Sequence, residues 1–126
     1  MKFLSAPLVL MLALAAPGSA RDRKAVPAAA PLGPPVSCIP LRQVRESAVR
    51  DDRTIDFITG NRRAYRVTLP DACPGLGFEQ AFSYATSLSQ LCQQDIITVL
   101  HQGGGLWRGA SCGLGPFQPV ELARRR

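Results

Sequence analysis

Histidine occurs once in this chain, at His101, and tryptophan once, at Trp107. Both methionines, Met1 and Met11, lie in the first eleven residues. Copper or zinc handling draws on several His or Met ligands, and downstream of Met11 there is one His and no Met. Covalent haem needs C-x-x-C-H, which does not occur. The triple glycine Gly103 to Gly105 lacks the following helix pattern and the Lys of a phosphate-cradling loop. Nucleophilic hydrolysis through a Ser–His–acid set has a single possible base, His101. Ser83, Ser87, Ser89 and Ser111 are equally conceivable partners for it, and no G-x-S-x-G elbow occurs. A carboxylate pair working across a cleft has no evident members. Asp51 and Asp52 are adjacent and point to opposite faces of any strand, and they suit a turn before Arg53. Asp95, close after Cys92, suits the same local amide-capping task. These absences predict a non-enzyme with no cofactor and no metal.

What is present begins with an export pattern. Lys2 is followed by an apolar run, Phe3 to Ala16, interrupted only by Ser5 and Pro7. Pro17-Gly18 breaks the run, and Gly18 and Ala20 place small residues before Arg21. The run of 14 residues is short for a membrane-spanning helix, which needs roughly 20. Residues 1–20 are therefore expected to be a signal peptide cleaved near Ala20, leaving a periplasmic or secreted chain with no transmembrane segment. No Cys follows the run directly, which argues against a lipid anchor.

The chain has 126 residues and a formal charge of +6, enough length for one domain. The charge is unevenly placed. Arg21, Arg23 and Lys24 accompany Asp22, and Arg124, Arg125 and Arg126 accompany Glu121. Ser37 to Val120 holds eight Arg against seven acids. The excess belongs to two tails, whose only predicted contact is a weak one with an anionic surface. Arg62, Arg63 and Arg66 near Tyr65 could serve nucleic acid, but a nearly neutral domain that is exported predicts no such partner.

Residues 25–36 (AVPAAAPLGPPV) carry four Pro, four Ala and no charge. Residues 21–36 are read as a basic, then Pro/Ala-rich, extended linker, residues 37–122 as one domain and 123–126 as a basic tail. The domain is expected to be mainly β, a small antiparallel sheet or partly open barrel of five or six short strands. Ile55 and Phe57 alternate with polar neighbours, as do Tyr65, Val67 and Leu69. A three-residue loop, Gly60 to Arg62, would set Phe57 opposite Tyr65, Ile55 opposite Val67 and Asp56 opposite Arg66, keeping the apolar set on one face. Asp95 to Leu100 is β-branched and apolar, a buried strand. Trp107 to Cys112 is its return strand, and Gly113, Gly115, Pro116 and Pro119 suggest a bent edge strand after it. Leu41 to Val49 suits a short helical turn and then a strand. Phe78 to Leu91 fits either a helix, giving an α+β alternative, or a strand over Ala81 to Thr86; the hydroxyls of Ser83, Thr86, Ser87 and Ser89 favour the strand.

Four cysteines in an exported chain predict two disulfides. Three connectivities exist. Cys73–Cys92 with Cys38–Cys112 is favoured, the first pair bracketing one element and the second tying the domain entry to a late strand. Phe82, Tyr84, Trp107 and Phe117 are the aromatic candidates for a groove, with core the commoner fate of such residues. Trp107, between Gly105 and Gly109, is the best exposed one, and with His101 and Tyr84 it forms the expected interaction set.

Several stretches together resemble domain of unknown function 6491, a family of small exported bacterial proteins. They are Asp51-Asp52-Arg53-Thr54-Ile55, Leu69-Pro70 with Cys73-Pro74-Gly75-Leu76, Phe82-Ser83-Tyr84, Leu91-Cys92 with Asp95, and Cys112-Gly113-Leu114-Gly115 with Phe117. The resemblance implies a Gram-negative envelope protein with the same cysteine framework, and it carries no activity or site residue. The function expected is a non-catalytic module that binds an envelope protein or component, or alternatively an inhibitor of an envelope hydrolase acting through the His101 to Trp107 loop.

Overall fold

The structure, a computed structural model, describes residues 26–86 and 88–124. The expected signal peptide and most of both basic tails lie outside these residues. Ten short strands alternate with a 3-10 turn and one helical turn. They are β1 (Ala29–Pro31), β2 (Cys38–Pro40), the 3-10 turn (Leu41–Gln43), β3 (Glu46–Val49), β4 (Thr54–Gly60), β5 (Arg63–Thr68) and α1 (Leu76–Glu79). There follow β6 (Phe82–Tyr84), β7 (Gln90–Cys92), β8 (Ile96–His101), β9 (Trp107–Gly113) and β10 (Gln118–Leu122). All pairing is antiparallel. A five-stranded sheet runs β1-β10-β5-β4-β3, a three-stranded sheet runs β6-β8-β9, and β2 pairs with β7. The domain is mainly β, as the alternation predicts, but divided into three sheets and closed into no barrel. The helix of the α+β alternative is confined to four residues before the expected segment's second half, and Phe82–Tyr84 is strand.

The β4–β5 register has Phe57 opposite Tyr65, Ile55 opposite Val67 and Asp56 opposite Arg66, as burial of one face demands. The connection differs from the three-residue loop expected. Gly60 pairs with Arg63, and the extra residue is absorbed as a bulge between Ile58 and Gly60. Arg62 closes the turn in the left-handed conformation at φ 59°. Ile55, Phe57 and Val67 then face Ile39, Leu69, Leu76, Leu91, Ile97, Val99, Leu114 and Phe117 in one core. Phe57 packs edge-on against both Phe82 and Phe117, so two of the four aromatics considered for a groove belong to the core or its margin.

The other face of β4 holds Asp56, fully buried. Its Oδ1 accepts from Arg66 Nε at 2.8 Å, and its Oδ2 accepts from Arg66 Nη2 at 3.0 Å and Arg50 Nε at 2.9 Å. A buried carboxylate demands such pairing. Arg66 Nη2 also donates to the Pro27 carbonyl at 2.8 Å, pinning the proline-rich segment across this face. Ala29–Pro31 of that segment is a strand, so part of the stretch read as linker joins the domain. It forms the edge, where prolines are tolerated, and it displaces β10 from the edge position expected for it. Pro119 survives inside the sheet for a geometric reason. Its carbonyl accepts from Leu32 on the β1 side, so its nitrogen faces that side too and no bond to β5 is lost.

The disulfides are Cys38–Cys92 and Cys73–Cys112, correcting the favoured pairing. Cys38 and Cys92 are directly opposite in the β2–β7 pair. Cys73, buried ahead of α1, meets Cys112 on β9 because α1 packs against β8, beside β9. Cys73 and Cys92 flank one segment in sequence, but the segment between them turns back along β8 and separates them. The loops closed span 54 and 39 residues, worth about 4 kcal/mol each in the chain-entropy picture. No described helix is long and apolar enough to cross a membrane.

Candidate functional site

His101 ends β8 and Trp107 begins β9, and the two are a cross-strand pair closing the Gln102–Leu106 loop. Side chains so placed meet face to face. Their rings stack at 4.0 Å between centroids and 18° between planes. Trp107 nevertheless remains 56% exposed, so the imidazole supports one face of the indole and solvent reaches the rest.

The imidazole is itself held on three sides. Its Nδ1 donates to Glu79 Oε1 at 3.0 Å, from the end of α1. Gly109 lies beneath it, and a Cβ there would overlap His101 Nε2 and Cδ2. Gly75, left-handed at φ 84°, lies on another side, where a Cβ would sit 3.3 Å from His101 Cε1. Glycine is required at both positions for different reasons, close approach at Gly109 and backbone conformation at Gly75. Asp52 holds α1 in place by accepting from Gly77 N at 2.8 Å. Asp51 and Asp95 cap local amides, of Arg53 and Cys92, as turn residues.

Tyr84 does not join this cluster. It lies opposite Ile97, four residues along β8 from His101, or about 13 Å at strand spacing. It is half-exposed and tilts against Phe82. Glu79 does join, and the sequence pattern did not single it out. The signal that could have found it is the pairing demand of a lone His beside a short acidic helical turn. Phe78, next to Glu79, is 88% exposed and gives the same end a second apolar side chain, with Leu106 in the loop a third.

Among the described residues no hydroxyl hydrogen-bonds to His101, and Ser111, one of its conceivable partners, bonds to Thr98 instead at 3.0 Å. The carboxylate orients the ring, and the ring orients Trp107. No group of three or more His, Cys, Asp or Glu that could hold a metal occurs among the described residues. A recess of about 350 Å³ lies over the β2–β7 pair, lined by Cys38, Pro40, Arg42, Ser89 and Gln90. The arginine–tyrosine set considered for nucleic acid is split by strand alternation. Arg66 turns to Asp56, Tyr65 packs on the core, and Arg62 and Arg63 stay at the hairpin tip. In comparisons with known proteins, no family model, no curated protein and no solved structure matches this chain.

Proposed function

We propose that the chain is an exported, non-catalytic binding module of the bacterial cell envelope, contacting a protein or envelope component through the end of the molecule that bears Trp107. The observation that carries this reading is the preorganised exposure of Trp107. A large aromatic, stacked on a histidine that is hydrogen-bonded and seated on glycine, keeps more than half its surface in water. Exposed, rigidly held aromatics contribute disproportionately to interfaces, since little side-chain entropy is lost on contact. Two disulfides support an oxidising compartment, in keeping with the export pattern.

Crosslinking in intact cells followed by capture tests it, comparing the wild type with Trp107→Ala. The expected result is one envelope component retained by the wild type and lost by the variant at unchanged Tm. Stoichiometric recovery of a single hydrolase whose activity falls on binding would make the module an inhibitor. Hydrolysis of peptidoglycan, an ester or a peptide that disappears in His101→Ala would overturn the non-catalytic reading.

A further inference from the structure

Four arginines of the described residues come together at one end of the five-stranded sheet. The β4–β5 tip places Arg62 and Arg63 there. Arg45 joins them, because its N donates to the Ile58 carbonyl at the start of the bulge. Ala28 and the segment after β10 also arrive there. Leu122 N donates to the Arg62 carbonyl at 2.6 Å, and Ala123 N donates to the Ala28 carbonyl at 3.0 Å. Arg124 therefore leaves the sheet beside the tip, and Ala28 lies beside Ala123. The acids at this end are Glu46, opposite Ile58, and Glu121, opposite Arg63. Glu121 meets Arg62 at 3.4 Å with both side chains well exposed, a pairing too weak to neutralise the patch. The other end of β4 and β5, about 20 Å away at strand spacing, carries Asp51, Asp52 and Asp71 against Arg53.

We infer that this basic end is a docking surface for the phosphate-bearing headgroups of an anionic membrane. Cations supplied by three separate segments, Arg45, the Arg62–Arg63 tip and Arg124, form a broad patch, which suits a diffuse anionic surface. The exposed aromatics among the described residues, Phe78, Tyr84 and Trp107, lie on α1, β6 and β9, and none is on the strands of the basic end, where single-stranded nucleic acid would need a stacking platform. The choice of lipid over nucleic acid also rests on the export reading above. Docked this way, the molecule turns its acidic end outward from the membrane.

The test is flotation with vesicles of phosphatidylcholine, with and without about a third phosphatidylglycerol, using the protein as recovered from the expressing bacterium. The expected result is binding to the anionic vesicles only, lost as salt rises from about 0.05 to about 0.3 M. Arg62→Asn, which keeps the left-handed turn, combined with Arg63→Thr should weaken binding roughly twentyfold, or about fivefold per arginine. Arg108→Ser, on β9, should change it less than twofold. Equal binding to neutral vesicles, equal loss in Arg108→Ser, or tighter binding to a DNA oligonucleotide would overturn the inference. Displacement by inorganic phosphate beyond that by chloride of equal ionic strength would also overturn it, since that marks a discrete anion site. N-terminal sequencing of the same preparation separates the two readings. A start near Arg21 with no binding to anionic vesicles overturns this inference and leaves export standing, whereas an uncleaved start counts against export.

Discussion

Two carboxylate-centred clusters in this protein are built from similar groups and serve opposite ends. Asp56 is sealed. Both of its oxygens are occupied by guanidinium groups, and a proline carbonyl closes over Arg66. Glu79 is less sealed, its side chain 14% exposed, and its one partner is an imidazole that carries an exposed indole. The sealed cluster joins the β3–β4 connection, sheet and N-terminal segment, and both carboxylate oxygens in it are spent on protein donors. The open one spends its order on presenting a side chain to solvent. Burial makes the difference. A fully desolvated charge is costly to unpair, whereas a partly solvated one tolerates the loss of its partner.

Breaking the sealed cluster should have the largest effect. Asp56→Ala strands two arginines against the sheet and should destabilise the domain by about 3–5 kcal/mol, read by urea denaturation. A loss below about 1 kcal/mol would put Asp56 on a par with surface pairs. Replacing Cys73 and Cys112 together by Ala should cost a comparable amount, about 4 kcal/mol, and should loosen the α1 end first, visible as faster amide exchange there than in the five-stranded sheet.

The open cluster should respond locally. Gly109→Ala forces the imidazole off its seat and should cost about 1–3 kcal/mol, with a change in Trp107 fluorescence. If fluorescence is unchanged, the stack does not depend on that close approach. Glu79→Gln should cost less than about 1 kcal/mol while altering the same fluorescence signal. Smallest of all, Trp107→Ala should shift stability by no more than about 0.5 kcal/mol and remove partner capture, the combination that distinguishes a presented side chain from a packed one.

Much of the fold was legible along the chain because it depends on local alternation. The register of β4 and β5, the strand within Asp95–Leu100 and its return from Trp107 follow from which face must be apolar, although that strand buries only Ile97 and Val99 and leaves Ile96 exposed, so it is half-buried and not buried throughout. The strands that were harder to foresee, β1, β2 and β7, have three residues each. They are too short to display a period and are held by partners far away in sequence. The disulfide pairing depends on those same distant pairings, which is why bracketing in sequence misled. Of the candidate site, His101 and Trp107 were visible as rare residues beside a glycine-rich loop. Glu79 and the seat at Gly109 became visible only once α1 was packed against β8.

By itself, the sequence determined the mainly β character, the core face of each long strand, the oxidisable cysteine set and the presence of basic segments at both termini. Each of these is a property of composition or short-range period. Tertiary structure alone decided which cysteines bond, that Asp56 is sealed, that His101 carries Trp107, and that Arg45, Arg124 and the hairpin-tip arginines come to one end. These depend on which distant strands pair, a choice made by total burial across the whole domain rather than by any stretch of it.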